Sequence, residues 1–328
     1  VTMYRTLSLA ALAVLTVVSC GGDDSSAPDR ADLPPPPSPV VPAQPPEFWS
    51  TPATTEEQRA MVAQATRQVD VCALLPRDVL DELDHVHSVT VGLDSCRAIL
   101  DTDQPGQGTT LTWHSTLLDS LGSSGRGTTK QFGDASVRLV PDRDAGEPRS
   151  CGATARFPSG AAFYLGLSTP PGQNPCDVAD GLMPGMLDRW RESPPQGTSP
   201  DTVSTVLLGA DPCEVRERLE GTAETGEQRL TTCLFTYRGE RVTVSYEYRV
   251  PDYLGARGTE ERIDDHPVYR SVSIYDSRIP MFTTAVGPEL PADSTQFGTR
   301  IPVVEVVSVT DDVGRDVLGQ VLTLFPQG

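Results

Sequence analysis

The stretch "GADPCEVRERLEGT" (residues 209–222) decides the fold, because it is the second occurrence of a layout. The first is "VDVCALLPRDVLDELDHV" (residues 69–86). In each, an aspartate (Asp70, Asp211) stands two residues before a cysteine (Cys72, Cys213) that opens a helical stretch. In each, a loop follows and a second cysteine opens a strand-like run: Cys96 in "DSCRAIL" and Cys233 in "TTCLFTYRG". Asp211-Pro212-Cys213-Glu214 starts a helix for physical reasons. The carboxylate accepts from free N–H groups, the proline presets φ, and the glutamate completes a capping box.

Between the helical stretches the chain alternates. "RVTVSYEYRV" (residues 241–250) puts Val242, Val244, Tyr246, Tyr248 and Val250 on one face and Arg241, Thr243, Ser245, Glu247 and Arg249 on the other. "CLFTYRGERVTV" predicts a hairpin about Arg238-Gly239, and "VYRSVSIYD" and "VVEVVSVT" follow as strands. In the first unit "TLTWHSTLL", "SVRLV", "ATARF" and "AAFYLGLS" play the same parts, with a hairpin at Pro158-Ser159-Gly160. Each unit closes on a helix. Asn174-Pro175 starts "CDVADGLMPGMLDRW", and Asp311 or Asp312 caps "VGRDVLGQVLTLF". In the latter Val313, Val317, Leu318, Val321, Leu322 and Phe325 form one apolar stripe. A lead-in helix is expected from about Thr55 to Val69. The fold class is therefore α+β: two similar units, each an antiparallel sheet covered by helices on one face and stapled by disulfides. The boundary falls in "ESPPQGTSPDT" (residues 192–202), giving domains at 55–195 and 200–328.

The front of the chain sets the compartment. Arg5 precedes an apolar run from Leu7 to Val18, too short to cross a bilayer, where about 20 residues are needed. Residues 1–19 read as a secretory signal, with Met3 as the initiator. Val17-Val18-Ser19-Cys20 looks like a bacterial lipobox, so Cys20 is the expected lipidation site. Two or three acyl chains on one cysteine hold a protein stably to a membrane. A Pro-rich tether (residues 20–54) then favours polyproline II and reaches up to ~90 Å. The expected location is the extracytoplasmic face of the cell membrane.

Of seven cysteines, six remain once Cys20 is set aside: Cys72, Cys96, Cys151, Cys176, Cys213 and Cys233. In a secreted chain these read as a disulfide framework, and a zinc site would want C-x-x-C spacing. The repeat orders them. The first unit holds Cys151 and Cys176 and the second unit lacks both, so that pair is expected to be bonded together. Cys72 then pairs with Cys96, and Cys213 with Cys233. Each bridge closes a loop of roughly 20–25 residues, worth ~3 kcal/mol in the chain-entropy estimate.

The lipobox, D-x-C-A-L-L, a later cysteine, "GDASVRL" (residues 133–139), a strand cysteine and N-P-C-D-V-A together resemble a domain-of-unknown-function family of actinobacterial cell-envelope lipoproteins. The resemblance covers about residues 68–190, and the second unit looks like a degenerate copy. It implies an envelope location, two disulfides per full domain and helices on a sheet, and it implies no activity. A looser similarity is to extracellular sensor domains of actinobacterial kinases.

Net charge is −19, which argues against nucleic acid or an anionic lipid surface as partner. The four histidines are His85, His87, His114 and His266, few for a metalloenzyme. His85-Val86-His87 lies beside Asp81 and Asp84, but at a helix end, where histidine complements the dipole. In Trp113-His114-Ser115, alternation buries Trp113 and turns His114 outward. Asp142 to Glu147 hints at a calcium loop, yet its glycine falls one position early and the third acid is missing. "SLGSSGRGTTK" (residues 120–130) lacks the ending of a phosphate loop and reads as a mobile connection. Tyr246, Tyr248, Tyr253, Tyr269 and Tyr275 give the second unit an aromatic surplus, mostly core.

No catalytic residue, metal ligand or cofactor site is assigned. The expectation is a non-enzymatic binding or interaction module, anchored through lipid on Cys20, whose partner is an envelope protein or a small ligand. The alternatives are a carrier of an apolar envelope lipid in a sheet–helix cleft, and a hydrolase with an unrecognised site.

Overall fold

The computed structural model describes residues 45 and 47–325, apart from 103, 105–106, 123–125, 144–146, 148, 257, 274–275 and 296–297. The signal segment, Cys20 and the tether as far as residue 44 lie outside the described residues.

The first half opens with α1 (Glu56–Gln68), a 3-10 turn (Val71–Leu74) and α2 (Arg77–Leu83). Thr55 caps α1 through a reciprocal capping box with Gln58. Seven strands follow: β1 (Val86–Val91), β2 (Ser95–Leu100), β3 (Thr109–Leu117), β4 (Thr128–Phe132), β5 (Ala135–Pro141), β6 (Ser150–Arg156) and β7 (Ala161–Ser168). Helix α3 (Pro175–Glu192) closes the unit, with Asn174 accepting from the Cys176 N–H as expected. The second half has a 3-10 turn (Glu214–Arg218), then β8 (Ala223–Gln228), β9 (Thr232–Tyr237), β10 (Glu240–Arg249), the short α4 (Asp252–Gly255), β11 (Thr259–Ile263), β12 (His266–Val272), β13 (Pro280–Ala285), β14 (Ile301–Val307) and α5 (Asp311–Leu322).

Both sheets have seven strands, and every pairing is antiparallel. The first runs β1-β2-β3-β7-β6-β5-β4 and the second β8-β9-β10-β14-β13-β12-β11. Counted from its own first strand, each has the same order. The likeness extends to chemistry. Asp70 and Asp211 each accept from the backbone N–H of the cysteine two residues on, at 3.1 and 2.8 Å. Each of those cysteines is bonded to the second strand of its sheet, Cys72 to Cys96 and Cys213 to Cys233, with Cα–Cα distances of 5.4 and 5.1 Å. The third bridge joins Cys151 to Cys176, tying β6 to the start of α3. All three pairings are those the repeat predicts.

Helices cover one face of each sheet. In the first, α1 and α3 bury Val62, Ala65, Met183, Met186 and Trp190 against Trp113, Phe163 and Leu165. In the second, α5 buries Val313, Val317, Leu318 and Val321 against Phe235, Val244, Phe282 and Val306. Gly314 permits this packing. A Cβ there would stand 2.4 Å from the Phe282 ring and 2.6 Å from the Ser308 hydroxyl. The β9–β10 hairpin turns at Arg238-Gly239, both at positive φ (50° and 79°), as a two-residue primed turn requires.

Three details depart from the sequence reading. The helical stretches after Cys72 and Cys213 shorten to 3-10 turns. Pro76 breaks the first before α2 begins, and Gly221 (φ 77°) turns the second toward β8. Thr310, not Asp311 or Asp312, is the N-cap of α5, and Asp311 instead pairs with Arg270 at 2.7 Å. The folded body also begins before residue 55: Trp49, assigned to the tether, is only 2% exposed and belongs to the first core.

Candidate ligand cleft between the sheets

The halves meet at the C-terminal end of α1. Arg67, 9% exposed, donates to the carbonyls of Leu230 (2.8 Å) and Arg229 (3.3 Å) and pairs with Asp211 (3.1 Å). Burial lowers the affinity of its guanidinium for its proton, and Asp211 offsets part of that. Gln68 donates to the Gly209 carbonyl at 2.9 Å. The linker after α3 is held by Asp70, whose carboxylate accepts from Ser199 N–H (2.8 Å) and Thr202 Oγ1 (2.7 Å) besides Cys72. The segment expected to be a boundary is thus bonded to the first unit along its length.

Two adjoining cavities lie on this seam. A small one of about 20 Å³, room for one water-sized group, is walled by Arg67, Asp94, Ser115, Gln196, Leu230 and Tyr246. A larger, open cleft of about 370 Å³ lies against the β1–β2 hairpin and includes Asp94, Arg97, Thr112, Tyr246, Glu247 and Arg300 in its wall. Strand alternation supplies these side chains. Cys96 and Ala98 point into the core, leaving Arg97 on the opposite face of β2. Tyr246 and Tyr248 extend past the end of β9, which pairs only as far as Ser245.

The wall is polar and only partly satisfied within the chain. The Tyr246 hydroxyl and the Arg97 Nε are buried and have no hydrogen-bond partner among the described residues. Tyr246 itself is 3% exposed, and burial and the nearby Asp211 and Glu214 push its hydroxyl pKa up. Tyr248 is raised to about 12 by burial, with its hydroxyl 2.8 Å from Thr205 Oγ1. Burial also raises the Glu247 carboxyl, while Arg249, its ion-pair partner, opposes the rise. Arg249 further pairs with Glu305 at 2.9 Å.

Asp94 is pushed up by burial, and the positive form of His114 pulls it back in part; His114 is pushed down by burial, with Asp94 opposing. An acid raised in the folded state binds protons there that the unfolded chain has lost. Stability therefore falls as pH rises from about 3.8 through the folded value, and the cost persists above it. Asp94→Asn is expected to be more stable than the parent at pH 7 and equal to it below pH 3.8, by urea unfolding across pH. A larger pH dependence in the variant would contradict this.

The single residues weighed from sequence fall out as follows. His114 and Ser115 project to opposite faces of β3. His114 lies against the Tyr164 ring (5.2 Å between centroids), whereas Ser115 is 4% exposed beside Asp94. They do not converge. His87 is the extra residue of a bulge in edge strand β1 and is exposed; His85 precedes the strand. Among the described residues no three His, Cys, Asp or Glu side chains gather as a metal would require. His266 begins β12 with both ring nitrogens buried and without a hydrogen-bond partner among the described residues. Asp144 to Gly146 of the calcium-like loop, and Tyr275, lie outside the described residues. In the described part of the 120–130 connection, Arg138 donates to the carbonyls of Leu121, Gly122 and Arg126. Of the tyrosines, Tyr246 is core, Tyr248 and Tyr269 are half-buried, and Tyr253 is 69% exposed.

Sequence reasoning missed Asp94, Arg97 and Arg300 as members of one wall. A scan of protein-family models gives no match to this chain, and neither the curated proteins nor the solved structures give one.

Proposed function

We propose that this chain is a lipid-anchored, extracytoplasmic binding protein that holds a small polar molecule in the cleft between its two sheets and does not transform it. One observation carries the binding reading: buried donors of Arg97 and Tyr246, unpartnered within the described chain, belong to residues that wall one cleft. Buried polar groups in native proteins find partners, and two unpartnered donors in the wall of one cleft are met there by water, an ion or a bound molecule. The volume, about 370 Å³, is within the range of small-molecule sites. Three disulfides suit an oxidising compartment. The lipobox ending at Cys20 supports the anchor, and the shared strand order and the matching aspartate-to-cysteine N–H hydrogen bonds support a duplicated origin for the halves.

The alternatives have less support. A lipid carrier would want a large apolar cavity between sheet and helices, whereas this cleft lies between the sheets and is about half polar. A hydrolase of the serine type would want His114 and Ser115 on one face, and they face apart.

Native mass spectrometry on the full-length protein purified from its own envelope tests the reading. The expected result is a bound mass that survives gentle transfer and is lost on unfolding. A bare protein, six hydrogens light from three disulfides, would remove the small-molecule reading.

A further inference from the structure

Resting on that ligand-cleft reading, we infer that the molecule bound between the sheets carries a carboxylate, received by the Arg97 guanidinium and the Tyr246 hydroxyl. Arg97 stands on the helix-free face of β2, and its Nε–H is buried without a partner among the described residues. A guanidinium only donates, so what completes it must accept. Its planar fork fits the two oxygens of a carboxylate better than any single hydroxyl. The Tyr246 hydroxyl, on a residue 3% exposed, adds a second donor.

The acids of the same wall do not fill this role within the chain. Glu247 is engaged by Arg249, and no ion pair or hydrogen bond joins either Glu247 or Asp94 to Arg97 among those found for the described residues. Burial raises the Asp94 carboxyl and so weakens its hold on negative charge. Arg300 lines the cleft too, and its charge opposes in part the rise that burial gives the Glu247 carboxyl. Arg97 therefore offers its guanidinium to an incoming anion, in a chain whose net charge is −19. Long-range attraction does not bring that anion in; local, desolvated donors select it. The volume admits a short dicarboxylate or a single sugar acid.

The test is isothermal titration of the full-length protein with acetate, succinate and glucuronate, against glucose and against chloride at equal ionic strength. Glucose and glucuronate form a matched pair that differs at one carbon. Saturable binding of a carboxylate, and not of glucose, is expected. Arg97→Gln should weaken it about tenfold or more, and Arg97→Lys by less. Tyr246→Phe should weaken it about threefold or more with no loss of thermal stability, since it removes a buried unpaired hydroxyl. Glucose binding as tightly as glucuronate, or carboxylate affinity indifferent to Arg97→Gln, overturns the carboxylate assignment and leaves the cleft reading standing. So does a native mass spectrum with a bound molecule that lacks an acid group. No probe bound and no native mass would overturn both.

Discussion

Replacing Arg67 by methionine is expected to lower stability by about 2–4 kcal/mol, a large loss for a residue that sequence reading places in an ordinary last helical turn. The size follows from what is left behind. Methionine fills much of the same volume, so the cavity contribution is small. The carbonyls of Arg229 and Leu230 lose a donor, however, and Asp211 loses its cation. Removing one member of a fully buried pair costs about 3–5 kcal/mol. The Asp211 side chain is 39% exposed against 7% for Arg67, so water recovers part of the loss. A second effect separates this from a generic core mutation. Because Arg67 is in the first half and all three of its acceptors are in the second, amide exchange should speed up at the seam, around residues 209–211 and 229–231, before it does within either sheet. The Arg67→Met/Asp211→Asn double variant should be less destabilised than the sum of the singles, since the neutral amide no longer lacks a cation and its oxygen still caps Cys213. Equilibrium unfolding that moves by less than about 0.5 kcal/mol, or strict additivity in the cycle, would remove Arg67 as the clasp of the seam.

The parts of this molecule that were legible from sequence share one property: their determinants are local or repeated. Alternation over residues 241–250 is read correctly because Val242, Val244 and Tyr246 are neighbours on one strand and bury on one face. The disulfide pairing is legible because the chain contains its own comparison, a second unit that lacks Cys151 and Cys176 together. The α+β class follows from those two facts. What was not legible depends on register across long separations. The order β1-β2-β3-β7-β6-β5-β4 requires β3 to pair with β7, and no local pattern announces that Trp113 will face Leu165. Asp70 is legible only as the aspartate two residues before a cysteine; it caps the 3-10 turn, and its second oxygen receives the Ser199 N–H across 129 residues. The cleft is the extreme case. Arg97 is an outward residue of one strand and Tyr246 an inward residue of another, and only docking of the halves puts both in the wall of one cleft.

Trp49→Ala is expected to cost about 3–5 kcal/mol and to lower the melting temperature by roughly 10 °C. The reason reverses the sequence expectation for this segment. A run rich in proline ahead of Phe48-Trp49 reads as a spacer, and a spacer would leave an indole in water. Instead Trp49 is 2% exposed, set edge-on against Trp190 (5.4 Å between centroids) and near Phe157 (6.4 Å). Its Nε1–H donates to Ser193 Oγ at 2.9 Å, at the residue whose positive φ (50°) ends α3. Its carbonyl accepts the Ser159 N–H at the β6–β7 hairpin. One residue therefore covers the aromatic end of the first core and fastens two of its corners, one through its indole and one through its backbone carbonyl. Its truncation leaves a cavity beside Trp190 and Phe157 and removes the donor to Ser193 Oγ. The sequence did hold a signal, since paired aromatics are what a solvated tether does not need. A chain that begins at residue 55 should therefore be as unstable as the substitution, and one that begins at residue 45 should match the full-length protein. Thermal unfolding of those two truncations beside Trp49→Ala decides where the folded body starts. A fully stable protein from residue 55 would return Trp49 to the tether.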